Sequence, residues 1–183
     1  MKGDFKMIVY HGSPNKFEKF DYDRIRTNGT SEGVGFYFTN NKEIATGYAR
    51  GGYLYTVKIH GEKALSDNKK TLTREEVETL LFILNKRSDF LSNYGEVDYE
   101  GYGVVMNRAL NNEYDDNDTD SDILGSIYNG DGENPDVLHI VYNELGYDHI
   151  VSEPTWGKQR LVIALTNDII EIVDVERIEV EKK

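Results

Sequence analysis

His11-Gly12-Ser13 closes an apolar run that begins at Met7, and after a polar stretch the chain reads Gly33-Val34-Gly35-Phe36-Tyr37-Phe38-Thr39, with Tyr48 eleven positions beyond Tyr37. An imidazole and a hydroxyl at the end of a strand can hydrogen-bond a sugar. Glycine lets a ligand approach main chain that a side chain would shield. Two phenols can border a flat ring, with stacking worth about 0.5–1.5 kcal/mol beyond the area buried. In this order the groups describe a pocket for an aromatic ring joined to a ribose. Each also has a plainer role. A histidine after a strand is commonly a strand-end surface residue, any of the 13 tyrosines can serve as core, and glycines can serve a turn alone.

These groups need a scaffold. Residues 7 to 11 read as a buried strand, a loop rich in Asp, Arg, Asn and Gly follows, and Gly35 to Thr39 forms a second short strand. Asn41 to Tyr48 reads as a helix capped by Asn40 or Asn41. The β-branched and aromatic alternation of Tyr53 to His60 predicts a strand. Thr73 and Glu76 make a capping-box pair ahead of Val77, Leu80, Leu81 and Leu84, whose spacing predicts an amphipathic helix of structural role. Residues 92 to 103 mix Gly and Tyr, and residues 104 to 112 read as weakly helical. Pro135 to Leu145 suits a helix that stops at Gly146. Tyr147 to Val151 reads as a short strand, a turn surrounds Pro154 to Gly157, and Gln159 to Leu165 and Ile169 to Val175 are the last strands. Helices interspersed with short strands place the chain in the α+β class.

Composition narrows the chemistry. A chain of 183 residues fits one domain with a buried core. Its 33 acidic against 21 basic residues give a formal net charge of -12, which argues against a general nucleic-acid binder, because affinity for phosphate backbones comes from Lys and Arg. The absence of cysteine removes disulfides and thiolate metal sites and is compatible with a reducing compartment. No run approaches the roughly 18 apolar residues of a membrane span, and Met1-Lys2-Gly3-Asp4-Phe5 lacks the apolar core of a signal peptide. The expected address is cytoplasmic, with no membrane partner. Residues 113 to 122 carry six acids and no base and read as a mobile surface loop. Asp116, Asp118 and Asp120 have the odd spacing of a calcium loop, yet Ser121 stands where glycine is needed and Ile127 where a bidentate glutamate is needed. His60, His139 and His149 show no metal spacing. No metal is expected.

His11-Gly12-Ser13, then Gly33-x-Gly35-Phe36-Tyr37-Phe38 and Tyr48, resemble the NAD-binding signature of ADP-ribosyltransferases of the His-Tyr-Glu type, which include poly(ADP-ribose) polymerases and diphtheria-toxin-like enzymes. The surrounding text is most similar to the phage and mobile-element branch found in polyvalent proteins. There a Tyr-His-Gly-Ser opening, a Gly-x-Gly-Phe-Tyr-Phe-Thr segment and a late Gly-Tyr-Asp stretch recur, the last matched by Gly146-Tyr147-Asp148. The resemblance covers residues 8 to 60 and roughly 136 to 175. It implies a split β-sandwich with flanking helices, a single domain over residues 1–183, and a central, mostly helical insertion at about 66–135. It also implies NAD as co-substrate. His11 would bond a ribose hydroxyl, the backbone of Gly12 would pair with the carboxamide, Ser13 would support that end of the pocket, and Tyr37 and Tyr48 would border the nicotinamide. Arg26, or Arg24 beside it, has the guanidinium suited to a pyrophosphate. Trp156 could line the pocket mouth or cap the core.

The family places a glutamate at the start of a late strand, and here that strand is entered by Gly157-Lys158-Gln159-Arg160. Gln159 therefore joins His11 and Tyr37 as the third catalytic position, with Glu153 as the alternative carboxylate. A glutamine can bond a ribose hydroxyl, but it offers no formal charge to an oxocarbenium-like cation and cannot deprotonate an acceptor. A second departure is Ala45, where poly(ADP-ribose) polymerases often carry serine. The resemblance so modified implies a mono-ADP-ribosyltransferase acting on a macromolecular acceptor, protein rather than nucleic acid, in a bacterial host cytosol if the chain is phage-encoded. Two alternatives stay open: an NAD glycohydrolase toxin, and a degenerate module that binds NAD or ADP-ribose without turnover. An RNA 2′-phosphotransferase of related fold is disfavoured by the acidic balance.

Overall fold

The apolar run in Phe5–Ser13 and the β-branched and aromatic residues of Tyr53–Gly61 favour strands, and these two segments form the long antiparallel pair of the molecule, in register from Phe5↔Gly61 to Ser13↔Tyr53. The structure is a computed structural model that describes residues 5–21, 35–88, 119–130, 136–152 and 159–179. Its strands are β1 (Phe5–Ser13), β2 (Phe36–Thr39), β3 (Tyr53–Gly61), β4 (Ala64–Ser66), β5 (His149–Val151), β6 (Leu161–Ala164) and β7 (Ile170–Arg177). Its helices are α1 (Lys42–Ala49), α2 (Arg74–Ser88), α3 (Asp120–Gly130) and α4 (Asp136–Ile140), the last running on as a π-helical turn over Val141–Leu145. A 3-10 turn over Asn167–Ile169 leads into β7.

The described strands form one mixed sheet of seven in the order β4-β5-β6-β2-β1-β3-β7, antiparallel except for the β4–β5 pair. The join in the middle is thin. β2 pairs with β6 along its whole length, from Phe36↔Ala164 to Thr39↔Leu161, whereas β1 and β2 register only at Tyr10↔Thr39. The sheet thus consists of two groups of strands, β4-β5-β6-β2 and β1-β3-β7, that meet at a single residue pair.

Each group has its own core. Leu65, Leu72, Leu80, Leu81, Leu84, Leu124, Ile127, Leu138 and Ile163 pack together under α2, α3 and α4. Val9, Phe20, Phe36, Phe38, Tyr55, Val57, Ile59, Val162 and Ala164 make the second cluster. The pleat divides β6 and β2 between them: Ile163 and Tyr37 face the helical core, while Val162, Ala164, Phe36 and Phe38 face the other. Helices from the 66–135 segment therefore supply much of one core.

Local chemistry explains the boundaries. The Asn41 side chain accepts from the Glu43 and Ile44 amides at 3.0 and 3.2 Å and starts α1, which ends at Arg50 in a left-handed conformation. The Thr73–Glu76 capping box forms as the sequence predicts, with Thr73 N–H donating to Glu76 at 2.9 Å and Glu76 N–H to Thr73 Oγ1 at 3.2 Å. Gly146, at φ 74°, stops the turn that follows α4.

Several expectations change. The end of the acidic run is no loop: Thr119 and Asp122 cap one another and open α3. Asp120 is buried, and its carboxylate accepts from the Ser66, Thr71 and Leu72 amides and from the Thr71 hydroxyl. Its donors all belong to the protein, which is why a charged residue can be withdrawn from water here. The strand expected at Tyr147–Val151 begins at His149, because Asp148 turns to bond the Glu62 and Lys63 amides. Gln159, Arg160 and Leu165 lie outside β6. β4 has no counterpart among the sequence expectations, being three residues long. The segments at 92–112, Asp116, Asp118, Pro135 and the turn at Pro154–Gly157 lie outside the described residues. Among the described residues no helix is long and apolar enough to cross a membrane.

Candidate active site

His11 sits where β1 outruns its pairing with β2. Its Nδ1 lies 2.9 Å from the carbonyl oxygen of Tyr37, across the gap between the two strands. A carbonyl only accepts, so Nδ1 carries the proton and, in the neutral ring, Nε2 presents a lone pair. Burial pushes the imidazole below the ordinary histidine value, against a smaller opposing effect of the Tyr37 bond. The neutral, acceptor form is therefore favoured near neutrality. Four rings surround it: Phe20 at 5.2 Å, Phe38 at 5.8 Å, Phe17 at 6.0 Å and Tyr55 at 6.2 Å between centroids. Of the four, only Phe38 belongs to a motif of the sequence; Phe17, Phe20 and Tyr55 reveal a common target only after the chain folds.

Tyr37 thus meets His11 through its backbone, while its ring packs against the helical core. Gly12, the next residue of β1, lies beneath α1. A Cβ there would fall inside the carbonyl oxygen of Ala45 and 2.6 Å from the amide nitrogen of Ala49. The missing side chain is what lets α1 cross β1 so closely, and α1 carries Tyr48. That phenol is 59% exposed, the most open of the large apolar side chains described. Gly35 has φ +106°, and a Cβ there would sit 2.6 Å from the Ala164 carbonyl oxygen, so its freedom serves the β2–β6 contact. Ser13 is buried and accepts from the Asn15 amide at 3.2 Å, which starts the loop leaving β1.

Gln159 stands two residues ahead of β6, half-buried. Its neighbour is fixed: the Arg160 amide donates to Asn40 Oδ1 at 2.7 Å and the Asn40 amide to the Arg160 carbonyl at 3.1 Å. The third candidate position is thereby tied to the end of β2 and the cap of α1. The structure brings His11, Tyr37 and Gly12 together around the β1–β2 gap and places Tyr48 on the helix over Gly12. Arg24, Arg26, Gly33, Glu153 and Trp156 lie outside the described residues. Asp148 of the Gly-Tyr-Asp stretch has a structural part. Burial alone would raise its carboxyl, but the His149 imidazole and the amides of Glu62 and Lys63 outweigh that and hold it below the usual carboxylate range.

A separate hollow of 610 Å³, lined by His60, Lys63, Tyr142 and Asp148 among others, includes none of His11, Gly12, Tyr37, Tyr48 and Gln159. Among the described residues no cluster of His, Asp and Glu could hold a metal ion.

A half-buried imidazole stands at the join of a divided sheet in an α+β chain, and the sequence comparison gives the chain a family. Residues 2–167 match the family described as ADP-ribosyltransferase in polyvalent proteins, and the chain belongs to that family. No curated protein matches the chain. A crystal structure of an anti-CRISPR protein aligns over 97% of this chain and 98% of its own, at 18% identity and a TM-score of 0.40.

Proposed function

We propose that the chain transfers a single ADP-ribose from NAD to a macromolecular acceptor, a protein rather than a nucleic acid, with release of nicotinamide. The observation that carries the reading is the family match over residues 2–167 together with the His11–Tyr37 bond at the join of the two strand groups. That narrow join also supports a split sheet.

The residues present suit such a substrate. NAD supplies an ADP-ribosyl group at its anomeric carbon and nicotinamide as leaving group. His11 offers Nε2 as an acceptor for a ribose hydroxyl, held in the right tautomer by Tyr37. Gly12 lets α1 pack directly on β1 beside His11, and Tyr48 on that helix offers an open aromatic face to a flat ring. Gln159 bonds a hydroxyl through its amide and leaves the developing cation without a formal counter-charge. With no base at this position, the acceptor nucleophile must arrive already reactive or lose its proton to water. The acidic surface, at a net charge of -12, disfavours nucleic acid as the acceptor.

The test is incubation of the purified chain with NAD labelled in the adenylate and a bacterial lysate. Nicotinamide release with label on protein supports transfer. Release with all label as free ADP-ribose supports the glycohydrolase reading instead, and NAD binding by calorimetry without release supports a binding module. Gln159→Ala lowers nicotinamide release by about tenfold, the worth of one hydrogen bond. An unaffected Gln159→Ala beside an inactive Glu153→Ala would move the third position to Glu153.

A further inference from the structure

The loop leaving β1 folds back over His11, and one side chain from the neighbouring strand holds it there. Phe17 N–H donates to the Tyr55 phenol oxygen at 2.6 Å, and the same phenol donates to the Phe17 carbonyl at 3.1 Å. The two rings stack at 4.1 Å between centroids with 9° between planes. Tyr55 is fully buried in the middle of β3, directly opposite His11 in the β1–β3 register. Two further ties fix the loop ends: Asn15 N–H to Ser13 Oγ, and Asn167 Nδ2 to the Phe20 carbonyl at 3.3 Å. Phe17 and Phe20 are in turn two of the four rings around the imidazole.

We propose that Tyr55 is a positioning residue, whose phenol secures both backbone groups of Phe17 and so keeps the aromatic loop closed over His11, fixing that imidazole as an Nδ1 donor and Nε2 acceptor. The consequence for catalysis rests on the functional reading above, whereas the consequence for His11 itself does not. With the loop in place, the Phe17 and Phe20 rings stand 6.0 and 5.2 Å from the imidazole, and the Tyr37 carbonyl is the partner of Nδ1. Among the four rings only Tyr55 titrates. Its own phenol is raised by burial, opposed by the Phe17 bond, so it stays neutral when His11 titrates. The low titration of His11 follows from this enclosure.

The experiment is Tyr55→Phe, which keeps the ring and removes both bonds to Phe17. NMR titration of the His11 ring nitrogens in parent and variant reads the result directly. The expected outcome is a rise of about half a pH unit or more in the His11 midpoint, as water re-enters, and partial loss of the Nδ1–H tautomer. The acid limb of nicotinamide release should move up by the same amount, with KM for NAD rising more than kcat falls. A variant that melts earlier but shows parental His11 titration and tautomer would overturn the proposal, since that is what a purely structural tyrosine gives. If the parent releases no nicotinamide while the His11 midpoint still shifts, the functional reading fails and the role of Tyr55 stands. Should Tyr55→Phe not fold, hydrogen exchange in the parent decides: the Phe17 amide is expected to be protected as strongly as the β1 amides, and exchange at the rate of an open loop would overturn the proposal.

Discussion

Protonation of the His11 imidazole sets a measurable pH dependence of stability. His11 is held below the ordinary histidine value of 6.5 by burial, so the folded state favours the neutral ring. The unfolded chain then binds more protons than the folded one between the two values, and stability rises with pH across that window. The His11 contribution is fully present above 6.5 and is lost as pH falls through the folded value. Urea titrations at several pH values should show this slope in the parent and not in His11→Gln. Under the proposed function, His11→Ala removes an acceptor for a ribose hydroxyl and lowers kcat/KM for NAD by about 10- to 100-fold, equivalent to roughly 1.4–2.8 kcal/mol. Nicotinamide release under steady-state conditions measures it.

Two elements depend on close approaches that single substitutions would block. α1 lies on Gly12 with the Ala45 carbonyl where a Cβ would go. Gly12→Ala must displace α1, carrying Tyr48 with it, at a cost of about 1–3 kcal/mol, and a lowered urea midpoint with loss of NAD binding is expected. At the other end of the sheet, Asp120 ties β4 and the residues before α2 to the first turn of α3 through three amides and a hydroxyl. Asp120→Ala leaves the Ser66, Thr71 and Leu72 amides, the last of them buried, without that acceptor and should destabilise by about 1–3 kcal/mol. A midpoint within error of the parent would show that water replaces the carboxylate. Asp120 was legible as an acid of a charged run, at the odd spacing of an incomplete calcium loop, and not as a buried acceptor. Its burial depends on β4, which three residues of sequence do not announce.

Although the sheet is divided at Tyr10↔Thr39, the whole chain is expected to unfold as one unit. β6 and β2 put alternate side chains into both cores, so neither core can lose its packing without exposing the other. Leu124→Ala in the helical core should cost about 2–5 kcal/mol and Val57→Ala in the aromatic core somewhat less. Both should shift a single urea transition without splitting it. Two separated transitions, by far-UV circular dichroism and by NMR peak loss, would mean that the strand groups are independent.

What the sequence determined by itself was local. The Asn41 cap, the Thr73–Glu76 box and the Gly146 stop depend on neighbours within four residues, and these three formed. The ordered His-Gly-Ser and Gly-x-Gly-Phe-Tyr-Phe text was enough to reach the family. Tertiary structure alone decided what surrounds those residues. Phe17, Phe20, Phe38 and Tyr55 converge on His11 from one loop and two other strands, and Tyr37 serves His11 with a carbonyl common to every residue. Such contacts join positions up to 44 residues apart, where no periodicity reaches. They arise because burying an imidazole requires both an apolar enclosure and one satisfied nitrogen, and only the folded chain can supply the two at the same point.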